Sequence, residues 1–156
     1  MPSVIEIREA LPADTPHLAL LRAEDWGKPE YWADRINGYL ARTHHPQHAL
    51  EDRVVFVAKS GGRIVGLIAG HLTTRFGCDG EIQWISVAVQ SRRATIGSEL
   101  VIALAKWFVD RDANRICVDV DPDNPAARKF YCALGAAPLN EHWMQWDEIG
   151  KLLEPE

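Results

Sequence analysis

Ile5 and Ile7 alternate with polar neighbours in "SVIEIREA", the period of two that marks a half-buried strand. The period then changes. In "ADTPHLALLRAED", Asp14 or Thr15 stands as N-cap, Pro16 falls in the first turn, and Leu18, Leu20 and Leu21 supply an apolar helical side. "KPEYWADRINGYLART" predicts a second helix through Trp32, Ile36, Tyr39 and Leu40, weakened by Gly38. "RVVFVAKS" and "RIVGLIAGHLTT", separated by Gly61 and Gly62, read as a hairpin. "DGEIQWISVAV" is apolar nearly throughout from Ile82 to Val89, which predicts a strand in the middle of a sheet.

Gly97, Leu100, Val101, Leu104, Ala105 and Phe108 recur at the spacing of one helix face. "RICVDV" is a short buried strand. "NPAARKFYCALG" is a helix with both ends marked, Asn124 as N-cap, Pro125 at the first position and Gly135 as terminator. "HWMQWDEI" gives a last strand. Strand, two helices, hairpin, strand, helix, strand, helix, strand predicts a mixed α/β (α+β) sandwich rather than a regularly alternating doubly wound fold.

A length of 156 residues fits one domain spanning 1–156. Hydrophobic residues at 47% and charged residues at 25% fit an ordinary globular protein. A formal charge of -5 argues against nucleic acid held by phosphate contacts and suits a cationic partner better. The N-terminal stretch has no basic segment followed by an apolar run, and no stretch has the length of a membrane span, so a cytoplasmic protein is expected. Cys78, Cys117 and Cys132 are too few and odd for a disulfide framework, and Cys117 reads as core. His44, His45 and His48 lie in a loop beside Pro46 without the companions of a metal motif, so no metal is expected.

The chemistry concentrates in "QSRRATIGSELVIALAKWF". Here a strand ending near Val89 turns through Arg92 and Arg93 into a helix opening at Ile96, Gly97 and Ser98. A helix N-terminus presents unpaired amides and the positive end of the macrodipole, so this turn is a candidate phosphate site. It could equally be solvated loop charge with Gly97 serving helix–sheet packing. A dinucleotide turn fits worse, because the only glycine cluster, "SGGRIVG", lies in the hairpin, and the Gly-Lys-Ser/Thr ending of a P-loop is absent.

"ISVAVQSRRATIGSEL" resembles motif A of the GNAT superfamily of acyl-CoA-dependent N-acetyltransferases, and "NPAARKFYCALGA" resembles the second signature of the same family. Thr95 stands where the motif has its first glycine, and Val89 where a proline is common. The resemblance implies a mostly antiparallel central sheet with helices on both faces. It also implies that acetyl-CoA is the co-substrate, its pyrophosphate on the amides of Arg93, Ala94, Thr95, Ile96, Gly97 and Ser98, with Arg92 or Arg93 adding charge. The pantetheine arm is expected to lie beside Ile85 and Val87, between strands that splay apart, with Asn124 as a further contact. The Val87 amide is placed to donate to the thioester oxygen. Thr95 dislikes positive φ but is a good N-cap, and its hydroxyl is expected to accept from Gly97 or Ser98.

Two catalytic roles follow from the resemblance. Glu81 matches a position that supplies a base, directly or through water, although it also reads as a solvated strand-end carboxylate beside Asp79. Tyr131 is expected to donate to the departing sulfur, against a plain core-aromatic reading. Cys132, the next residue on that helix, points elsewhere. Trp84, Trp107 and Trp146 are expected in the core, and Trp26 and Trp32 either shape an acceptor pocket or simply pack. The implied activity is direct acetyl transfer to a primary amine in a ternary complex. The alternative is a non-catalytic acyl-CoA-binding regulatory or interaction module. The acceptor is open among a polyamine, an aminoglycoside-like sugar, a free amino acid and a peptide amine. A homodimer, common in the family, is compatible with the apolar residues of "HWMQWDEIGKLLEPE".

Overall fold

The computed structural model describes residues 4–91 and 95–155. Its strands are β1 (Ile5–Glu9), β2 (Ala49–Ser60), β3 (Arg63–Thr73), β4 (Gly80–Val87), β5 (Ile116–Asp119), β6 (Ala137–Pro138) and β7 (Trp143–Trp146). They form one sheet in the order β1-β2-β3-β4-β5-β7-β6, antiparallel throughout except where β4 runs parallel to β5. The helices are α1 (Thr15–Asp25), α2 (Pro29–Leu40), α3 (Ile96–Val109) and α4 (Pro125–Ala133).

Local chemistry accounts for these elements. Gly61 and Gly62 both have positive φ, 59° and 81°, the twist a two-residue hairpin turn needs to close Ser60 against Arg63. Asn124 caps α4, its Oδ1 accepting the Ala127 amide at 3.1 Å, and Gly135 leaves the helix at φ 96°. Asp14 precedes α1 but makes no capping bond to it. Its carboxylate instead accepts the Leu11 amide at 2.7 Å and pairs with Arg8 at 2.8 Å, tying β1 to the start of the helix.

Helices cover both faces of the sheet. Tyr39 of α2 and Trp32 lie against Trp84 of β4, with Leu18 and Leu21 of α1 buried beside them. On the other face α3 buries Ile96, Leu100, Val101, Leu104, Ala105, Trp107 and Phe108, the predicted stripe without Gly97 and with Ile96 and Trp107 added. α4 joins that side, since Gly97 lies directly under the ring of Phe130. Trp84, Trp107 and Trp146 are buried as expected, and Cys117 is core. The two-residue β6 and the 3-10 helix over Ile149–Leu153 have no counterpart in the periodicity. Both are too short to show a period. Among the described residues no helix is long and apolar enough to cross a membrane, and no metal-holding cluster forms.

Candidate functional site

The site begins where two central strands part. β4 pairs with β3 along its length, from Leu72↔Gly80 to Gly66↔Val87, but with β5 only from Gly80↔Ile116 to Ile82↔Val118. A register shift against Ala69 and Gly70 places a bulge at Gln83, where the parting starts. Bulges twist and bend the strand that carries them, which turns the remainder of β4 away from β5.

A cleft of about 540 Å³ opens on the α3 and α4 side of this gap. Its walls include Ile85 and Val87 of β4, Thr95, Gly97 and Ser98 at the head of α3, and Asn124, Phe130 and Tyr131 of α4. Seven sequence-predicted cofactor contacts, Ile85, Val87, Thr95, Gly97, Ser98, Asn124 and Tyr131, therefore share one cavity. Ile96 does not join them; its side chain is 2% exposed and belongs to the core. Arg92, Arg93 and Ala94 lie outside the described residues.

Thr95 is the N-cap of α3 with φ −83°, so the glycine-like backbone feared for a β-branched residue is not required. The expected side-chain cap is absent: the hydroxyl of Thr95 bonds no first-turn amide. At ψ 14° the residue is already near helical, whereas a capping residue normally has the more open backbone found at Asn124, with ψ 79°. Among the described residues no side chain takes the first-turn amides, which suits them to a ligand with the macrodipole behind them. Gly97 has a packing role too, since a Cβ there would meet the Phe130 ring at 3.2 Å.

A second cleft of about 280 Å³ continues through the gap, lined by Arg22 and Asp25 of α1, Trp84 and Ile85 of β4, Asp119 and Asp121 beyond the parting of β5, and again Asn124 and Tyr131. Tyr131 thus stands between the two. It is 4% exposed, edge-on to Trp146 with centroids 5.7 Å apart, and its hydroxyl has no hydrogen-bond partner among the described residues. Burial pushes its phenol well up from the ordinary value, partly offset by the Arg22 guanidinium.

Glu81 is not a solvated strand-end carboxylate. It is 5% exposed, and Oε1 accepts from Arg75 Nε at 3.0 Å with His71 Nε2 at 3.6 Å. Its α1/α2 face of the sheet also carries Tyr39, whose hydroxyl lies 2.9 Å from Nδ1 of the fully buried His71. Glu81 lines neither cleft, but its partner Cys117 on β5 stands two residues before Asp119, on the same side of the sheet. Asp79 is occupied elsewhere, accepting the amides of Asn114 and Arg115. Trp32 is packing, 3% exposed, whereas Trp26 is largely exposed; Cys132 is exposed and away from both clefts.

Sequence reasoning did not find Arg22, Asp25 or Asp119. Arg22 sits in a helix otherwise read for its leucines, and only long-range packing brings it to the gap. Phe130, one residue before the singled-out Tyr131, was visible only as part of an apolar face.

The profile of the acetyltransferase (GNAT) family matches residues 7–136. Solved structures agree with the fold. The PaiA N-acetyltransferase of Thermoplasma acidophilum, in complex with coenzyme A, superposes with a TM-score of 0.72 at 15% identity, covering 93% of this chain and 99% of that one. The ribosomal-protein-alanine N-acetyltransferase of Brucella melitensis gives 0.68 at 17% identity over 90% and 98%. An aminoglycoside N-acetyltransferase in complex with CoA gives 0.71 at 20% identity over 86% and 89%. No protein of curated function matches the chain by sequence.

Proposed function

This chain belongs to the acetyltransferase (GNAT) family, and we propose that it moves an acetyl group from acetyl-CoA to a primary amine by direct attack in a ternary complex. The observation that carries the reading is the meeting of two clefts at Tyr131, one walled by the head of α3 and the part of β4 past its pairing with β5, the other by charged side chains. The first fits coenzyme A: open helix amides suit pyrophosphate, and the β4 edge at Ile85 and Val87, past the end of its pairing with β5, suits the amide-bearing pantetheine arm. Arg92, Arg93 and Ala94 complete the phosphate end in this reading, with Ile96 contributing its amide rather than its buried side chain.

The acceptor nitrogen enters from the second cleft. A C–N bond forms at the thioester carbon and the C–S bond breaks; the sulfur takes a proton or hydrogen bond from the Tyr131 hydroxyl, and the amine proton leaves to a base. Tyr131 suits this role because its raised proton affinity keeps the phenol protonated until a thiolate develops beside it. Glu81 is assigned the base through water, since its β5 neighbour Cys117 stands two residues before the cleft residue Asp119 on the same side of the sheet. No covalent acyl-enzyme is needed, and Cys132 is left out.

The reading places the protein among soluble cytoplasmic enzymes acting on a small-molecule or peptide amine, as one acetyltransferase domain over 1–156. Release of the coenzyme A thiol, followed continuously against a panel of amines with both substrates varied, tests it. Intersecting initial-rate lines support a ternary complex. Thiol release independent of every amine would favour the binding-module alternative.

A further inference from the structure

Arg22 is an unusual residue to find at the gap. Its guanidinium carbon lies 4.3 Å from the centroid of Trp32 and 5.8 Å from that of Trp84, and its side chain is 12% exposed. Its single side-chain hydrogen bond among the described residues runs from Nη1 to Ser86 Oγ at 3.1 Å. The Asp25 carboxylate stands at 3.9 Å, and Nε is buried without an acceptor. Burial lowers its pKa, the sign of a charge short of compensation.

A guanidinium carries five donors, and a largely desolvated one left short of acceptors is costly. What would complete it is a planar anion with two oxygens, the geometry of a carboxylate. The cleft supplies the opposite charge on its β5 side. Asp119 accepts no hydrogen bond among the described residues, whereas Asp121 beside it accepts the Asp123 amide at 2.9 Å. Within about 280 Å³, then, the walls bring together the Arg22 guanidinium of α1 and the carboxylates of Asp25, Asp119 and Asp121, with Tyr131 in the same lining. A polyamine brings no acceptor to Arg22, and an amino sugar brings neutral hydroxyls but no anion to match its charge.

Resting on the acetyl-transfer reading above, we propose that the acceptor is a free amino acid, or an amine with a carboxylate beside the reacting nitrogen, bound through Arg22 at the carboxylate and Asp119 at the ammonium. The size of the cleft and its mixed charge both suit a small zwitterion. Arg22 is then the specificity-determining residue, and Ser86, Trp32 and Trp84 hold it in place.

Matched pairs isolate the carboxylate: leucine against isopentylamine, phenylalanine against 2-phenylethylamine, lysine against cadaverine. The expected result is a preference of about 10- to 100-fold in kcat/KM for one or more amino acids over the matched amine, the worth of a charged hydrogen bond. Calorimetry on protein saturated with coenzyme A should show the amino acid binding and its amine not. Arg22→Gln should collapse that ratio toward one, and Arg22→Lys, which keeps the charge without the fork, should restore part of it. Equal or better use of the amines by the wild type, or a ratio unchanged in Arg22→Gln, would overturn the inference, and the wild-type ratio decides the matter even if the variant fails to fold. Thermal stabilisation by acetyl-CoA with none of the amino acids bound or acetylated would defeat this acceptor class while leaving acetyl transfer standing. Absence of any stabilisation would defeat both.

Discussion

Arg75 Nε lies 3.0 Å from Glu81 Oε1, in a pair whose side chains are 15% and 6% exposed. Arg75 comes from a 3-10 turn over Arg75–Gly77 and is held over the ring of Trp143 at 4.6 Å, so the pair fastens the β3–β4 connection to β7 as well as to the central strand. Breaking a buried pair from one side leaves an uncompensated charge, which typically costs about 3–5 kcal/mol. Arg75→Ala should therefore destabilise the fold by roughly that amount in urea denaturation. A loss below about 0.5 kcal/mol, the scale of an ordinary surface substitution, would show the pair to be unimportant to stability.

The same contact bears on catalysis. Glu81→Gln keeps the shape of the side chain and removes its ability to take a proton. Turnover should fall by about 10²-fold or more, with the largest deficit at low pH, where the acceptor is most protonated. A pH–rate profile that superposes on the wild type after scaling would remove Glu81 from the chemistry.

Tyr131→Phe deletes one hydroxyl from the junction of the two clefts while keeping the ring that packs on Trp146. The single-turnover rate of acetyl transfer should drop by about 10²-fold or more, the usual worth of a positioned acid, with coenzyme A affinity nearly intact. Equal rates would leave Tyr131 as a core aromatic only.

Asp14 provides a pH dependence of stability whose sign is fixed. The hydrogen bond from Arg8, aided by the Leu11 amide and opposed by burial, holds its carboxyl below the ordinary value of about 3.9. A depressed folded pKa contributes stability in full above the unfolded pKa and loses it as pH falls through the folded one. Asp14→Asn should therefore cost about 1–3 kcal/mol near neutral pH. The gap between variant and wild type should narrow under acid conditions, and a gap that stays constant across the acid range would contradict the assignment.

Gly80 opens the central strand at its closest approach to α3. A Cβ there would collide with the Phe108 ring and stand 2.9 Å from Cδ1 of Ile116. Gly80→Ala should destabilise by about 1–3 kcal/mol through overpacking, measured as a shift in the denaturation midpoint. An unchanged midpoint would mean that Phe108 has room to move.

What could be read in the sequence was whatever depends on near neighbours. The stripe from Leu100 to Phe108, the Gly61–Gly62 hairpin and the cap at Asn124 are each written within a few residues, and each is found as expected. The residues Ile85, Val87, Gly97, Ser98, Asn124 and Tyr131 were legible as one site only because two local motifs carry a family resemblance. What was not legible depends on distant partners. The burial of Glu81 is set by Arg75 and His71, and the clamp on Arg22 by Trp32, Trp84 and Ser86; no periodicity encodes such meetings. Thr95 shows the limit of residue preference, since its type suits an N-cap but the backbone at that position keeps the hydroxyl from serving as one.

The central claim is that the cleft between β4, α3 and α4 holds acetyl-CoA, and its most direct test is the unfolding midpoint with and without that ligand. At about one hundred times its dissociation constant a ligand bound only by the native state adds roughly 2.7 kcal/mol. For a chain of this size that is a rise of several degrees. Such a rise is the predicted result. An unchanged midpoint with both acetyl-CoA and free coenzyme A would contradict the account.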